Sequence, residues 1–486
     1  MLIFHPKILD AFKGYNRGLL TKDVLSGITV GIVALPLAMA FAIASGLKPE
    51  AGIFTAIVAG GLISLLGGSR VQIGGPAGAF IVIVYGIVER YGIPNLLLAT
   101  AMSGVFLFLM GLMRLGNLVR FIPIAVIIRF TNGIACLIGL SQIKDFFGLT
   151  VEKMPAQFFP MLQTLYAAAD TVNIVALGIA CFSLMIIVAW KLIQKKLGWL
   201  GHLPGTVVAM VIATLITGLF NLPVDTIGSR FGGIPSSLPH FEWISISWGT
   251  AQYMVTPALT LALLGAIESL LCARVADSLI HDRHDSNQEL MAQGVANLVS
   301  PFFGGMPATG TIARTVTNIE SGGTTPIAGI VHACTLLIII LFAAPLAKDI
   351  PLASLAAILM FVAWNMGEWR KFVDLKQFRL PYQLTILSVF TLTVILDLTI
   401  AVQVGLLFAF ITFIYRISSL SRCEQADTQQ YPALENHQGR IDAYRIYGAI
   451  FFGAVKLLEK IEQKLPSQIL LLDRSEEHTS ELLSHS

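Results

Sequence analysis

Charged residues are scarce in this chain. Asp, Glu, Lys and Arg make up 13% of its 486 residues, about half the roughly 25% of an ordinary soluble domain. With 55% hydrophobic residues and a mean hydropathy of +0.76, this shortage excludes a soluble globular protein. It points to a chain that crosses a bilayer repeatedly. A strong excess of one charge is lacking too. The net charge of +3, without a basic cluster interleaved with aromatics, excludes a nucleic-acid partner. Cysteine is sparse and odd in number: Cys136, Cys181, Cys272, Cys334 and Cys423, with no CxxC pair. Four lie in apolar runs and read as packing residues rather than disulfides or metal ligands. The sequence has no nucleophile–base set, metal cluster or GxxxxGK[ST] loop, so it does not read as an enzyme. The first twenty residues hold no apolar core of a signal peptide.

What is abundant is apolar sequence. Runs at 24–46, 51–67, 76–88, 95–113, 122–143, 173–193 and 204–221 precede a polar interval at 222–250. Runs at 255–275, 288–303, 308–319, 326–346, 352–366, 383–399 and 400–418 follow it. Those at 76–88 and 308–319 are too short to cross alone, since a full crossing needs about 20 residues. With a cytoplasmic N-terminal segment (1–22), alternate loops on the inner side collect most basic residues, Lys195, Lys196, Arg370 and Lys371 among them. The outer loops receive few: Lys48, Arg90, Lys144, Lys153, Arg230 and Lys348. That asymmetry predicts both termini in the cytoplasm.

The two short runs open alike. Gly74-Gly75-Pro76-Ala77-Gly78-Ala79-Phe80 and Gly304-Gly305-Met306-Pro307-Ala308-Thr309-Gly310 each place a glycine pair, a proline and small residues before an apolar stretch. Such a sequence starts a helix, and a start at membrane depth leaves backbone groups that need a partner. Two half-helices with positively polarised N-termini make an anion site. Small side chains at Ala77, Gly78, Ala79, Ala308, Thr309, Gly310 and Thr311 would let backbone amides reach an oxyanion, with the threonine hydroxyls as added donors. Pro76 follows Pro36 by 40 residues, and Ala308 follows Glu268 by 40. Seven spans separate the halves, so the second runs inverted, the organisation of secondary transporters.

Glu268 lies mid-span, where a carboxylate is costly unless paired or protonated. It reads as a proton-coupling group or as a structural partner of Arg314. Arg314, about one and a half turns into the second short run, adds full positive charge to the helix-terminus field. Arg129 and Asp397 are weaker intramembrane candidates. His202 and His281-Asp282-Arg283-His284 invite a metal reading that no thiolate or carboxylate set completes. Beyond 424 a polar linker (to 439) leads to a strand at Ile441–Ile446, a helical pattern over Gly453–Leu465 and a buried strand at Ile469–Leu472. The last thirteen residues, from 474, show no periodicity and resemble a non-native tail.

LPLAMAFAIASGLKPEAGIFTA (35–56), GGSRVQIGGPAGAF (67–80), GAIESLLCARVAD (265–277) and PFFGGMPATGTIARTVTN (301–318) together resemble the sulfate permease (SulP) family of anion transporters. QIKDFFGL (142–149) and VAWNMGE (362–368) are similar to its proton-coupled dicarboxylate carriers. The resemblance implies an all-α polytopic membrane protein of 14 segments in two inverted seven-segment repeats. A core (about 23–115 and 252–346) would move against a gate (about 116–251 and 347–420). A truncated cytoplasmic α/β STAS domain (440–473) would follow, available to cytoplasmic partners. It further implies a homodimer in a bacterial inner membrane and an elevator-type mechanism, with small dicarboxylates (succinate, fumarate, aspartate) as substrates. Sulfate, bicarbonate and a passive anion channel are the alternatives. Phe41 resembles the aromatic residue lining the family's site, whereas Leu37 stands where several relatives carry glutamine. Glutamate rather than aspartate at 268 implies protons over sodium as the coupling ion, with no cofactor.

Overall fold

The computed structural model describes residues 4–11, 14–117, 124–196, 203–244, 248–367, 369 and 390–395, and three strands near the C-terminus. Its helices are α1 (Lys7–Ala11), α2 (Arg17–Ala44), α3 (Pro49–Leu66), α4 (Ile81–Tyr91), α5 (Ile93–Leu112), α6 (Ile124–Phe146) and α7 (Phe158–Ala167). There follow α8 (Ile174–Ile193), α9 (Gly205–Phe220), α10 (Ile227–Phe231), α11 (Trp248–Ile280), α12 (Ser286–Val299), α13 (Ile312–Glu320), α14 (Ile327–Ala343) and α15 (Leu352–Met366). Six of them, α2, α3, α5, α8, α11 and α14, are long and apolar enough to span a membrane, the last taken with its 3-10 extension to Asp349. Outward-facing Ile174, Leu192, Leu219 and Phe342 are 76–81% exposed, as suits a surface solvated by lipid rather than water.

Local chemistry sets the ends. Asn16 caps α2, its Oδ1 accepting from the Leu19 amide at 3.0 Å, and Asp285 caps α12 by accepting from the Asn287 and Gln288 amides. Both satisfy first-turn donors that a helix cannot satisfy itself. Three helices, α1, α7 and α10, lie outside the expected runs. Helix α7 packs Met161 and Leu165 into a small cluster with Leu149 and Met154, and α10 is held by a Thr226–Ser229 capping box. Of the expected span at 383–399 only 390–395 is described, and it is helical; the expected span at 400–418, the Arg129 side chain, His202, Asp397 and the helical pattern at 453–465 lie outside the described residues.

The helices pack as two groups. In one, α5 lies against α11 and α12, and α14 against α2 and α3. The α5–α12 contact is backbone to backbone, because a Cβ on Gly104 would sit 2.4 Å from the Leu298 amide and one on Gly294 2.5 Å from that of Phe108. Small residues at such crossings are how helices associate where water gives no drive. In the other group, α15 packs on α6 and α8, and α8 on α9. A cleft of about 210 Å³ opens along the seam, lined by Leu47, Ile81, Tyr85, Ser141, Lys144 and Arg230 among others.

Two residues from each broken segment form a short antiparallel ladder: β1 (Gly74–Gly75) pairs with β2 (Thr309–Gly310), Gly74 opposite Gly310 and Gly75 opposite Thr309. The C-terminal unit carries β3 (Arg422–Gln425), β4 (Ile441–Tyr447) and β5 (Ile469–Asp473), with β3 antiparallel and β5 parallel to β4. Strands β4 and β5 match the expected strands. The stretch expected as linker begins instead within β3.

Candidate functional site

The ladder brings the two breaks face to face. From β1 the chain passes through Pro76 and Ala77 into a 3-10 turn, Gly78–Phe80, and on into α4. From β2 it passes through Thr311 into α13. Pairing β1 with β2 satisfies backbone groups that would otherwise lie bare among apolar helices.

Side chains of two helices, together with the break's own threonines, hold the second break. Asn297 of α12 grips Ala308 at both ends, its Nδ2 donating to the Ala308 carbonyl and its Oδ1 accepting from the Ala308 amide, each at 2.8 Å. Thr55 of α3 accepts from the Met306 amide at 2.7 Å. Thr309 donates its hydroxyl to the Gly265 carbonyl of α11 at 3.0 Å, and Thr311 donates to the Ile73 carbonyl at 3.0 Å. The threonine hydroxyls therefore brace the backbone in this state instead of turning a hydrogen toward a substrate. The Ala308 amide is likewise engaged. At the two starts, no hydrogen bond is found among the described residues for the amides of Ala77, Gly78 and Ala79 on one arm or of Ile312, Ala313 and Arg314 on the other. These are first-turn donors, the ones that bind anions at helix starts.

Glu268 lies on the face of α11 turned to this ladder. Gly265, Glu268, Ser269 and Cys272 follow the i, i+3, i+4, i+7 spacing of one helix face. Three of them touch the broken segments: Gly265 through Thr309, Ser269 by accepting from Gln72 Nε2 at 2.9 Å, and Cys272 by a 3.3 Å contact to Thr315 Oγ1. Glu268 is partly buried between them. The structural alternative, an ion pair with Arg314, is not formed, and neither terminal guanidinium nitrogen of Arg314 has a hydrogen-bond partner among the described residues. Arg314 is 1% exposed. Its guanidinium lies against Gly75, where a Cβ would be 2.2 Å from Nη1.

Phe41 and Gly78 meet on another side of the ladder. A Cβ on Gly78 would lie 3.6 Å from the Phe41 ring and 3.2 Å from Sδ of Met366, the last residue of α15. Leu37, one turn earlier on α2, is also buried. Arg314 and Phe41 thus approach neighbouring parts of the first break from different helices.

Several residues of this arrangement went unnamed in the sequence reading. Glu289, Gln293 and Asn297 recur every four residues on α12 and are all buried. Such a polar stripe on a buried helix face is a signal that composition counts miss. Glu289 accepts from the amides of Gly68 and Ser69 and from Gln293 and Ser269. Ser269 in turn accepts from Gln72, whose amide fills the space beside Gly310. His284, left without a metal role, pairs with Asp277 at 2.6 Å and with Ser286 Oγ at 2.9 Å.

Two broken helices paired inside an apolar helical body, with a buried guanidinium beside them, define a secondary transporter of anions. The sulfate permease family profile matches residues 20–389. The chain is 42% identical over 471 residues (95% of this chain, 87% of the relative) to "Putative sulfate transporter YvdB" of Bacillus subtilis (strain 168). It is 32% identical over 459 residues (90% and 80%) to the bicarbonate transporter BicA of Picosynechococcus sp. (strain ATCC 27264 / PCC 7002 / PR-6). Among solved structures, the transmembrane domain of a cyanobacterial bicarbonate transporter BicA superposes with a TM-score of 0.71 at 31% identity, covering 80% of this chain and 98% of that one. SLC26A9 shares the fold, with a TM-score of 0.82 at 18% identity over 96% of this chain and 81% of that one. The chain belongs to the sulfate permease family. These relatives are named for sulfate or bicarbonate, so the expected dicarboxylate cargo gives way to its alternative.

Proposed function

We propose that the chain is a proton-coupled carrier of a small inorganic oxyanion, sulfate or bicarbonate, across a bacterial inner membrane. The cargo sits between the starts of the 3-10 turn Gly78–Phe80 and of α13. The unpaired first-turn amides, with Ala77, Gly78 and Ala79 on one arm and Ala308, Thr309, Gly310 and Thr311 on the other, shape the anion pocket. Phe41 closes it, and Arg314 supplies full charge. Glu268 carries a coupling proton. The seam between the two helix groups supports an elevator-type displacement of one against the other.

The observation that carries this reading is the uncompensated guanidinium. A buried charge without a partner costs several kcal/mol, and an anion at the adjacent helix starts would offset that cost. A passive channel has no use for a titratable carboxylate on the site face. Uptake by purified protein in liposomes tests the proposal, with labelled sulfate, bicarbonate and succinate offered with and without an inward proton gradient. Accumulation of sulfate or bicarbonate above equilibrium, driven by the gradient, is expected. Uptake that only equilibrates would make the protein a channel, and accumulation of succinate alone would restore the dicarboxylate cargo.

A further inference from the structure

A buried histidine beside the ladder has no part in the mechanism so far. His332 of α14 is 0% exposed, and neither ring nitrogen makes a hydrogen bond of ordinary geometry among the described residues, although the Gly329 carbonyl one turn back on α14 is within reach of the ring. An imidazole offers a donor or an acceptor at each nitrogen, and native cores seldom leave either idle. Close packing of α3 on α14 fixes its place. A Cβ on Gly329 would be 2.0 Å from Ser64 Oγ, and one on Gly60 would be 3.6 Å from His332 Cε1 and 2.8 Å from the Gly74 carbonyl. The guanidinium of Arg314 lies against the next residue of that strand, Gly75. Ring and guanidinium therefore flank consecutive residues of β1. Ser64 Oγ, against the α14 backbone at Gly329, is also unpartnered.

We propose that His332 takes up a proton when an oxyanion occupies the Arg314 side of the site, so that cargo charge and proton uptake are linked. The inference rests on the carrier reading above and adds a second proton group to Glu268. With the site empty, burial of the ring and the guanidinium nearby both oppose a positive charge there, and in a low-dielectric interior the guanidinium's share is substantial. A bound oxyanion cancels the guanidinium charge and removes that share, and a divalent one sets net negative charge against the cost of burial. Anion and proton then enter together, each favouring the other by the same factor.

The residues packed on this stretch of α14 are Gly27 and Gly31 of α2, against Ala328, Val331 and Thr335, and Ser64 of α3, against Gly329, while Gly60 of α3 and the Gly74 carbonyl lie beside the ring; none of these titrates. Asp23, at the start of α2, is engaged by Tyr15, Thr324 and Thr325. Arg314 of α13, against the next residue of β1, is the charged side chain that the geometry places beside the ring.

Sulfate transport with simultaneous recording of internal pH tests the proposal. His332→Gln is expected to keep saturable uptake down a sulfate gradient. It should lose most of the acceleration by an imposed proton gradient and take up about one proton fewer per anion than the wild type. A His332→Gln protein with wild-type stimulation and stoichiometry overturns the proposal while leaving the carrier reading intact. A wild type without any proton-driven oxyanion uptake overturns both. Should His332→Gln and His332→Asn fail to fold, Glu268→Gln supplies the second measurement with His332 untouched. Calorimetry of sulfate binding in buffers of differing ionisation enthalpy should still show about one proton bound per anion, and zero overturns the proposal.

Discussion

The guanidinium of Arg314 occupies the space that a side chain on Gly75 would need. A Cβ at residue 75 would lie 2.2 Å from Nη1, and the residue's φ of +153° belongs to the region that favours glycine. The first break therefore serves two purposes. It starts a helix, and its bare backbone lets a charge from α13 lie directly against it.

Gly75→Ala should accordingly damage transport more than stability. Strain at such a φ costs on the order of 1–3 kcal/mol, and the displaced guanidinium loses its register with the helix starts. We expect KM for the oxyanion to rise at least about tenfold, measured by liposome uptake, with the protein still monodisperse. Gly86→Ala is the control. It lies within α4, where a Cβ would meet nothing within 4 Å, and should leave transport unchanged while stabilising the helix by about 0.5–1 kcal/mol. Equal KM values for the two variants would show that the contact with Arg314 has no bearing on cargo.

Asn297→Ala should loosen the second break. The side chain satisfies both backbone groups of Ala308, and each buried group left unpaired costs about 1–3 kcal/mol. A lower Tm with strongly reduced uptake is expected, whereas an unchanged Tm would mean that β2 holds Ala308 without help.

The two breaks are legible in the sequence because Gly-Gly-x-x-small punctuation is local: a proline and glycines stop one conformation and begin another within a few residues. Expected starts at 76 and 308 correspond to a turn at Gly78 and a helix at Ile312. The ladder between them is not legible, because pairing Gly74 with Gly310 is a contact across more than two hundred residues. Nor does local patterning show that Asn297 grips Ala308 or that Thr309 turns its hydroxyl to Gly265. In an apolar chain a lone Asn, Gln or His reads as an exception to a run. Only the fold shows that Gln72, Asn297 and His332 gather round one bridge. Glu268 and Arg314 stood out because charge at membrane depth is expensive, but their failure to pair was decided by geometry.

A pH effect is expected at the other end of α2. The Tyr15 hydroxyl donates to Asp23 at 3.0 Å, and burial together with that carboxylate pushes its pKa from 10.0 up to about 12. A group held protonated by the fold adds stability that is complete below its unfolded pKa and is lost as pH rises through the folded value. The contribution should therefore disappear between about pH 10 and 12. Tyr15→Phe should flatten that part of the alkaline Tm profile while leaving the profile near neutrality parallel to the wild type. An identical alkaline decline in both proteins would place the effect elsewhere.

The seam between the two helix groups carries a tie that an elevator would have to break. Helix α4 belongs with the ladder, yet its Tyr85 hydroxyl donates to the Met154 carbonyl and its Glu89 accepts from the Ala156 amide at 3.1 Å. Residues 154 and 156 lie in the segment between α6 and α7, beside the cleft that Ser141 lines. Each hydrogen bond contributes about 1 kcal/mol net. Removing both in Tyr85→Phe/Glu89→Ala should shift the population toward the separated state by roughly tenfold or more. In a protein freed of its native cysteines and carrying Ser141→Cys, alkylation of that thiol should quicken by a similar factor. An unchanged rate would mean that the two groups are held together by the packing of α2 on α9 and α15, and that Tyr85 and Glu89 only order the loop.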